Sequence, residues 1–213
     1  MKTLFYSFFM LSLLTGCSDP KVANDKNIIT ALSQYLEGTG GAICLNLHQW
    51  PLDLAPDDLR MLQRFPQGIA AQMVILEHAG LVKSQDIKLD GLDLFGHPSV
   101  GKRYELTDKG KAFYQAKTVD QFGQSYAGDL CVAHKKLEKL VEWQINKDNE
   151  DQTVNAKYNY TVINIADWAK SAEFKVGFPD VNISSTSQSE KRTLSLMDKG
   201  WWIKADVATN PSN

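Results

Sequence analysis

The apolar positions of this chain change period several times, and each change predicts a different element. Residues 4 to 14 hold an almost unbroken apolar block, Leu4, Phe5, Tyr6, Phe8, Phe9, Met10, Leu11, Leu13 and Leu14. Farther on, Ile28, Ile29, Leu32, Tyr35 and Leu36 recur at three- and four-residue spacing. That predicts a helix capped by Asn24 or Asp25 and stopped after about Glu37 by Gly38, Gly40 and Gly41. Ala42 to Leu47 is a brief apolar run that fits a strand. Pro56, with Asp57 and Asp58 near the positive end of the dipole, opens a helix to about Phe65. A second helix, about Gln67 to Ala79, turns Ile69, Met73, Leu76 and Ala79 inward and ends at Gly80. Leu81 to Leu89 and Lys102 to Leu106 read as a hairpin whose long tip runs from Gly91 to Gly101. Thr107 then caps a helix to about Lys117.

The second half alternates instead. Val141, Trp143 and Ile145 predict one strand, and Val154, Ala156, Tyr158, Tyr160 and Val162 predict its antiparallel partner across a charged turn at 146–152. Asp167 opens a short helical or irregular segment with Trp168, Ala169 and Phe174, closed by Gly177 and Pro179. Arg192 to Leu196 and Trp201 to Ala205 flank a turn at Asp198-Lys199-Gly200, while Thr186 to Glu190 reads as a mobile loop. The expected class is α+β. Its parts are a signal segment (1–16), a tether (17–25), a helical domain with a hairpin (26–120), a small antiparallel sheet of about four strands with one helix (127–206) and a tail (207–213).

Composition narrows the function classes. The chain has 213 residues, with 23 Lys+Arg against 25 Asp+Glu, a net charge of -2 and 43% hydrophobic residues. There is no global field to hold a polyanion. The leading apolar block follows a single cation, Lys2, and contains no acid, which is a secretory signal pattern. It is shorter than the about 20 apolar residues needed to span a hydrocarbon core, so a transmembrane anchor is the weaker reading and a buried N-terminal helix the bland one.

The block ends in Leu14-Thr15-Gly16-Cys17. This stretch resembles the lipobox of bacterial lipoproteins. The resemblance implies cleavage before Cys17, a diacylglycerol thioether on that residue and commonly a further amide-linked acyl chain. Several chains give stable anchoring at about 0.8 kcal/mol per buried CH₂. In lipoproteins of this kind Asp directly after the cysteine favours inner-membrane retention. Here Ser18 stands there and Asp19 follows, so the resemblance implies the periplasmic leaflet of the outer membrane. The mature chain would keep 197 residues, with 22 Lys+Arg and 25 Asp+Glu.

With Cys17 assigned to lipid, Cys44 and Cys131 are left as an even pair in an oxidising compartment, and a disulfide between them is expected. On the chain-entropy model, closing a loop of about 88 residues contributes about 4 to 5 kcal/mol. The alternative is two separate buried thiols. No close-spaced cysteine pair suits a metal.

The order helix, strand, helix, helix, hairpin, helix over about residues 25–117 resembles a winged helix-turn-helix domain. Leu76-Glu77-His78-Ala79-Gly80-Leu81-Val82 resembles the end of a recognition helix entering the wing. Tyr104-Glu105-Leu106-Thr107-Asp108-Lys109-Gly110 resembles the Y-x-L-T-x-x-G passage out of it in bacterial regulators. Yet the 67–79 helix carries Gln67 and Gln72 but neither Lys nor Arg. Arg60 and Arg64 on the preceding helix, with Lys102 and Arg103 on the wing, could contact phosphates, but Asp57, Asp58, Glu77, Asp86, Asp90 and Asp93 stand against them in the same region. Binding to nucleic acid is therefore not expected.

Catalytic signatures are also missing from the sequence. His48, His78, His97 and His134 share no metal-ligand spacing; G-x-S-x-G and P-loop motifs are absent, and S-x-x-K does not occur with its partner motifs. No metal or cofactor is expected. The adjacent Trp201 and Trp202 must point to opposite faces of a strand, so one packs and the other is a candidate binding hot spot unless it is covered. With His97 in the 90–101 excursion, these form the candidate partner-binding set. The expected function is a lipid-anchored periplasmic protein that binds a protein or small ligand without catalysis. An immunity- or inhibitor-type lipoprotein and an envelope hydrolase are the alternatives.

Overall fold

A computed structural model describes residues 19–62, 64–92, 98–121, 124–146 and 152–203. The predicted leading block, Cys17, His97, the tip residues 93–97 and the tail all lie outside the described residues.

Helix α1 (Asp25–Glu37) starts where the pattern places it. The Asn24 side chain accepts the Asn27 N–H, and Ile28, Leu32 and Leu36 are buried. Ile29 is exposed, against expectation: one covering sheet can bury only one stripe of the helix. The expected free tether is also docked in part. The Asn27 side-chain amide donates to the carbonyls of both Asp19 and Val22, at 2.9 and 2.8 Å, and ties these residues to the first turn of α1.

Strands β1 (Ala42–Cys44) and β2 (Leu52–Leu54) follow, then α2 (Pro56–Arg60) and α3 (Ile69–His78). Helix α2 stops well before Phe65. It buries no side chain, and Pro66 disfavours helical backbone at Phe65. Strands β3 (Val82–Leu92) and β4 (Pro98–Leu106) form the expected hairpin, and β2 adds to β4, giving a three-stranded sheet in the order β2-β4-β3. The two stretches singled out at the ends of this hairpin meet. The Thr107 N–H and hydroxyl both donate to the Leu81 carbonyl, the hydroxyl also to that of Gly80, and the Gly110 N–H donates back to the hydroxyl. A methyl group at Gly110 would overlap the Leu81 carbonyl, so the spacing from Thr107 to Gly110 has a packing cause.

Helix α4 (Asp108–Phe113) ends short of Lys117, because the chain turns at Tyr114 into β5 (Tyr114–Gln121) and pairs with β6 (Gln124–Asn146). Strand β6 is the spine of a six-stranded sheet in the order β1-β6-β7-β8-β9, with β5 also on β6. Strand β7 (Thr153–Ile163) matches the alternation residue for residue: Val154, Ala156, Tyr158, Tyr160 and Val162 are all buried. After a 3₁₀ turn (Asp167–Lys170) and α5 (Ala172–Gly177) come β8 (Gln188–Met197) and β9 (Gly200–Trp202). The expected loop at 186–190 is therefore partly strand, paired at Gln188 to Glu190 with Tyr160 to Tyr158.

The α+β class holds. Helix α1 and β1, which the sequence groups with the first segment, contribute to the large sheet: α1 covers its inner face and β1 pairs with β6. One cluster of buried residues runs from Ile28 and Leu32 through Met73, Leu76 and Leu81 to Leu130, Val154, Phe174 and Leu194. Cys44 and Cys131 sit opposite each other in the β1–β6 pair and are bonded, with S–S 2.05 Å. Among the described residues no helix is long and apolar enough to cross a membrane.

Candidate functional site

Helix α5 lies against α3. The Gln72 side-chain amide donates to the Gly177 carbonyl at 3.0 Å, and Gly177 leaves room for the Ile75 side chain, whose Cδ1 a methyl group there would strike. An edge-to-face chain of rings holds α5 from behind: Phe113 on Trp168 at 5.6 Å and Trp168 on Phe174 at 5.4 Å, with Phe174 stacked on Phe178 at 4.9 Å. Between the two helices an open, largely apolar groove of about 450 Å³ is left, lined by residues that include Leu62, Ala71, Val74, Ile75 and Val176. His78 and Glu173 also line it, 3.5 Å apart and exposed. Leu62 and Val176 are exposed, as are Met61 and Phe65, which flank Leu62 in the chain.

A second, smaller cavity of about 200 Å³ is lined by Asn46 to Trp50, Leu52 and Ile69. Behind it Asp129 is fully buried. Its carboxylate accepts the N–H groups of Asn46 and Leu47 at 3.1 and 2.9 Å and lies 3.5 Å from His48 Nδ1, which is also 3.2 Å from the Gly128 carbonyl. The Tyr114 hydroxyl and the Trp50 indole N–H close the turn by donating to the carbonyls of His48 and Leu47. Asn46 has φ 60°, a left-handed conformation that these bonds hold in place. Among the described residues that line this cavity there is no Ser, Thr or Cys, and the nearby Tyr114 hydroxyl is directed to the His48 carbonyl. The geometry of the His48–Asp129 pair is that of a carboxylate fixing a turn.

A third polar cluster lies on the inner face of the large sheet. Glu190 accepts from Lys135 at 2.8 Å and pairs with Arg192; Lys135 lies over the Tyr160 ring, and Arg192 over Tyr35. The buried Tyr158 hydroxyl is held far above the usual phenol range, first by desolvation and then by the Glu190 charge. The one carboxylate of this cluster bridges its two cations.

Among the described residues, the candidates read from sequence lie apart: the disulfide pair in the β1–β6 pair and the two tryptophans on β9. Trp201 is buried at 7%, and Trp202 is 57% exposed on the opposite face of β9. The disulfide pair lies inside the sheet, and Cys17 and His97 fall outside the described residues. The groove, His48 and Asp129 were not among those candidates. The one signal in the sequence was a single acid, Asp129, set immediately before the apolar run Leu130-Cys131-Val132-Ala133. Among the described residues no group of His, Cys, Asp and Glu could hold a metal ion.

Comparison with known protein families, with curated proteins and with solved structures finds no match for this chain.

Proposed function

We propose that this is an envelope lipoprotein, anchored through Cys17 in the periplasmic leaflet of the outer membrane, that acts by binding a partner protein without catalysis. The observation that carries the binding reading is the apolar groove between α3 and α5. A contiguous apolar surface on a folded protein marks an interaction site more often than chance exposure does. Its occupant is an apolar segment of the partner, because an unpaired charge could not be matched by the Leu, Val, Ile and Ala side chains that dominate the walls.

The element order α2, α3, β3 and β4, with β2 added to β4, supports a winged-helix ancestry for residues 26–120. Three further observations argue against use of that fold on nucleic acid. Gln72 spends its amide on α5. Arg103 is bound by both oxygens of Asp53 at 2.7 Å, and Lys102 by Asp86 at 3.1 Å. Arg60 is paired with Asp57. Cations already engaged within the protein release few counterions from a phosphate backbone.

The binding reading is tested by placing a photo-crosslinking residue at Val74 in cells. The expected result is a discrete adduct with a second protein that disappears in the Ala71→Glu variant. An adduct unaffected by that substitution, or none at all, overturns it. Fatty-acid labelling that is the same in wild type and Cys17→Ala overturns the anchor.

A further inference from the structure

The first described residues, from Asp19 to Val22, are held to the folded body by three contacts. Asp19 and Val22 are bound by Asn27, as above, and Pro20 lies against the β8–β9 turn. Gly200 has φ 123°, and a methyl group there would come within 3.0 Å of the Pro20 carbonyl oxygen and 3.3 Å of its Cβ. Only Ser18 separates Cys17 from Asp19. At no more than about 3.6 Å per residue, an acyl chain on Cys17 would hold the bilayer surface within about 11 Å of Pro20. Trp202 follows Gly200 by two residues, about 7 Å along the strand.

The same corner of the fold is unusual in its exposed side chains. Trp202 is 57% exposed, Met197 is 58% exposed, and Val22 is exposed beside Pro20. The pairing register puts Trp202 opposite Ser195, and hence on the outer face of the large sheet together with Thr193 and Lys191. Lys191 faces Lys157 across β7 and β8, and Lys139 and Lys136 occupy the equivalent face of β6 opposite Asn159 and Thr161. Among the described residues paired on this face across β6, β7 and β8 the one acid is Glu142, opposite Lys157, and Glu138 lies in the β6 bulge beside Lys139. These four lysines form no ion pair among the described residues. A protein of net charge -2 therefore presents one basic sheet face, and that face ends in an exposed tryptophan at the place where the lipid would emerge.

We infer that the β8–β9 end of the large sheet is a second membrane contact, which seats Trp202 and Met197 in the headgroup region of an anionic phospholipid bilayer. The inference rests on acylation of Cys17. Tryptophan settles at the boundary between water and hydrocarbon because its ring is apolar and its N–H is not. The lysines add attraction to anionic headgroups that decays within a Debye length. The contact turns the basic face toward the bilayer instead of leaving the body swinging on a tether.

The test uses the full-length protein purified from membranes. The mass of its N-terminal peptide first shows whether Cys17 is acylated; an unmodified peptide overturns both the anchor and this inference. The acylated protein is then reconstituted into vesicles of phosphatidylethanolamine and phosphatidylglycerol with brominated acyl chains. Tryptophan fluorescence is expected to be quenched in wild type, with most of that quenching lost in Trp202→Phe. In Lys157→Glu/Lys191→Glu the quenching is expected to weaken. Acylated protein whose quenching is the same in wild type and Trp202→Phe overturns the inference and leaves the anchor standing. So does a Trp202 whose contact proves to be a second copy of the chain.

Discussion

Removing the Asp129 carboxylate provides the sharpest test of how the 44–50 turn is held. In Asp129→Ala the buried N–H of Leu47 and the partly buried N–H of Asn46 both lose their acceptor, and His48 loses its carboxylate neighbour. Hydrogen bonds to a charged acceptor contribute about 1.5–3 kcal/mol each, so two of them amount to about 3–6 kcal/mol. Releasing a buried carboxylate recovers part of its desolvation penalty, which brings the expected loss to about 3–5 kcal/mol. That is a large share of the roughly 5–15 kcal/mol by which a native domain is stable. With a urea slope of about 2 kcal/mol per molar, the unfolding midpoint falls by about 2 M. Asp129→Asn keeps one acceptor oxygen without the charge and should lose about half as much. The assay is urea unfolding followed by far-ultraviolet circular dichroism with the disulfide intact. An alanine variant within about 0.5 kcal/mol of wild type would show that the carboxylate holds nothing, whatever its geometry.

Two further outcomes follow from named contacts. The Arg103 guanidinium beside Asp53 holds its carboxyl below the usual range, first through the hydrogen bonds and then through charge. Because the folded-state value is depressed, the pair contributes stability above the unfolded carboxyl's pKa and loses it as pH falls through the folded one. Arg103→Met should therefore raise the Asp53 titration midpoint read by carbon-13 NMR, and an unmoved midpoint refutes the pairing. Phe174, 1% exposed between Trp168 and Phe178, should cost about 3–5 kcal/mol on truncation to Ala. Amide exchange should then quicken first in α5, since that helix is pinned through this ring; uniform quickening would contradict its local role.

What could be read in the sequence depended on whether one neighbour or several fixed each element. Strand β7 has its inner face covered throughout, so strict alternation survived and its buried residues were predicted one by one. Strand β6 was found only at its end. Its register shifts between Leu137 and Lys139 and again between Leu140 and Glu142. Each bulge breaks the period of two, leaving Leu137, Leu140 and Val141 at a spacing that imitates a helix. Leu130 to Ala133 is buried on both faces and carries no alternation at all. Tyr114 continues a helical pattern in sequence, yet it pairs with Leu130, because a sheet partner distant in sequence outweighs local propensity. The candidate groove was unreadable for a similar reason. Its two walls lie about a hundred residues apart, and nothing in Val74 or Val176 alone announces the other. Trp202 was readable because strand geometry forces adjacent tryptophans apart, whatever else surrounds them.

The length of β6 has a consequence for how the molecule can be assembled. Its successive segments serve β5, β1 and β7, so a strand from near the start of the chain and one from its last third close on the same backbone. Among the described residues strand β1 pairs only with Cys131 to His134 of β6, about ninety residues farther along the chain. A chain delivered from its N-terminus must therefore keep Cys44 without its mate while more than eighty residues pass, and the first half waits for the second. Contacts of such long sequence separation slow folding. The waiting segment also exposes Ile43 and Leu45 during that interval, so the period before β6 arrives is when the nascent protein is most open to mispairing and to capture by a chaperone.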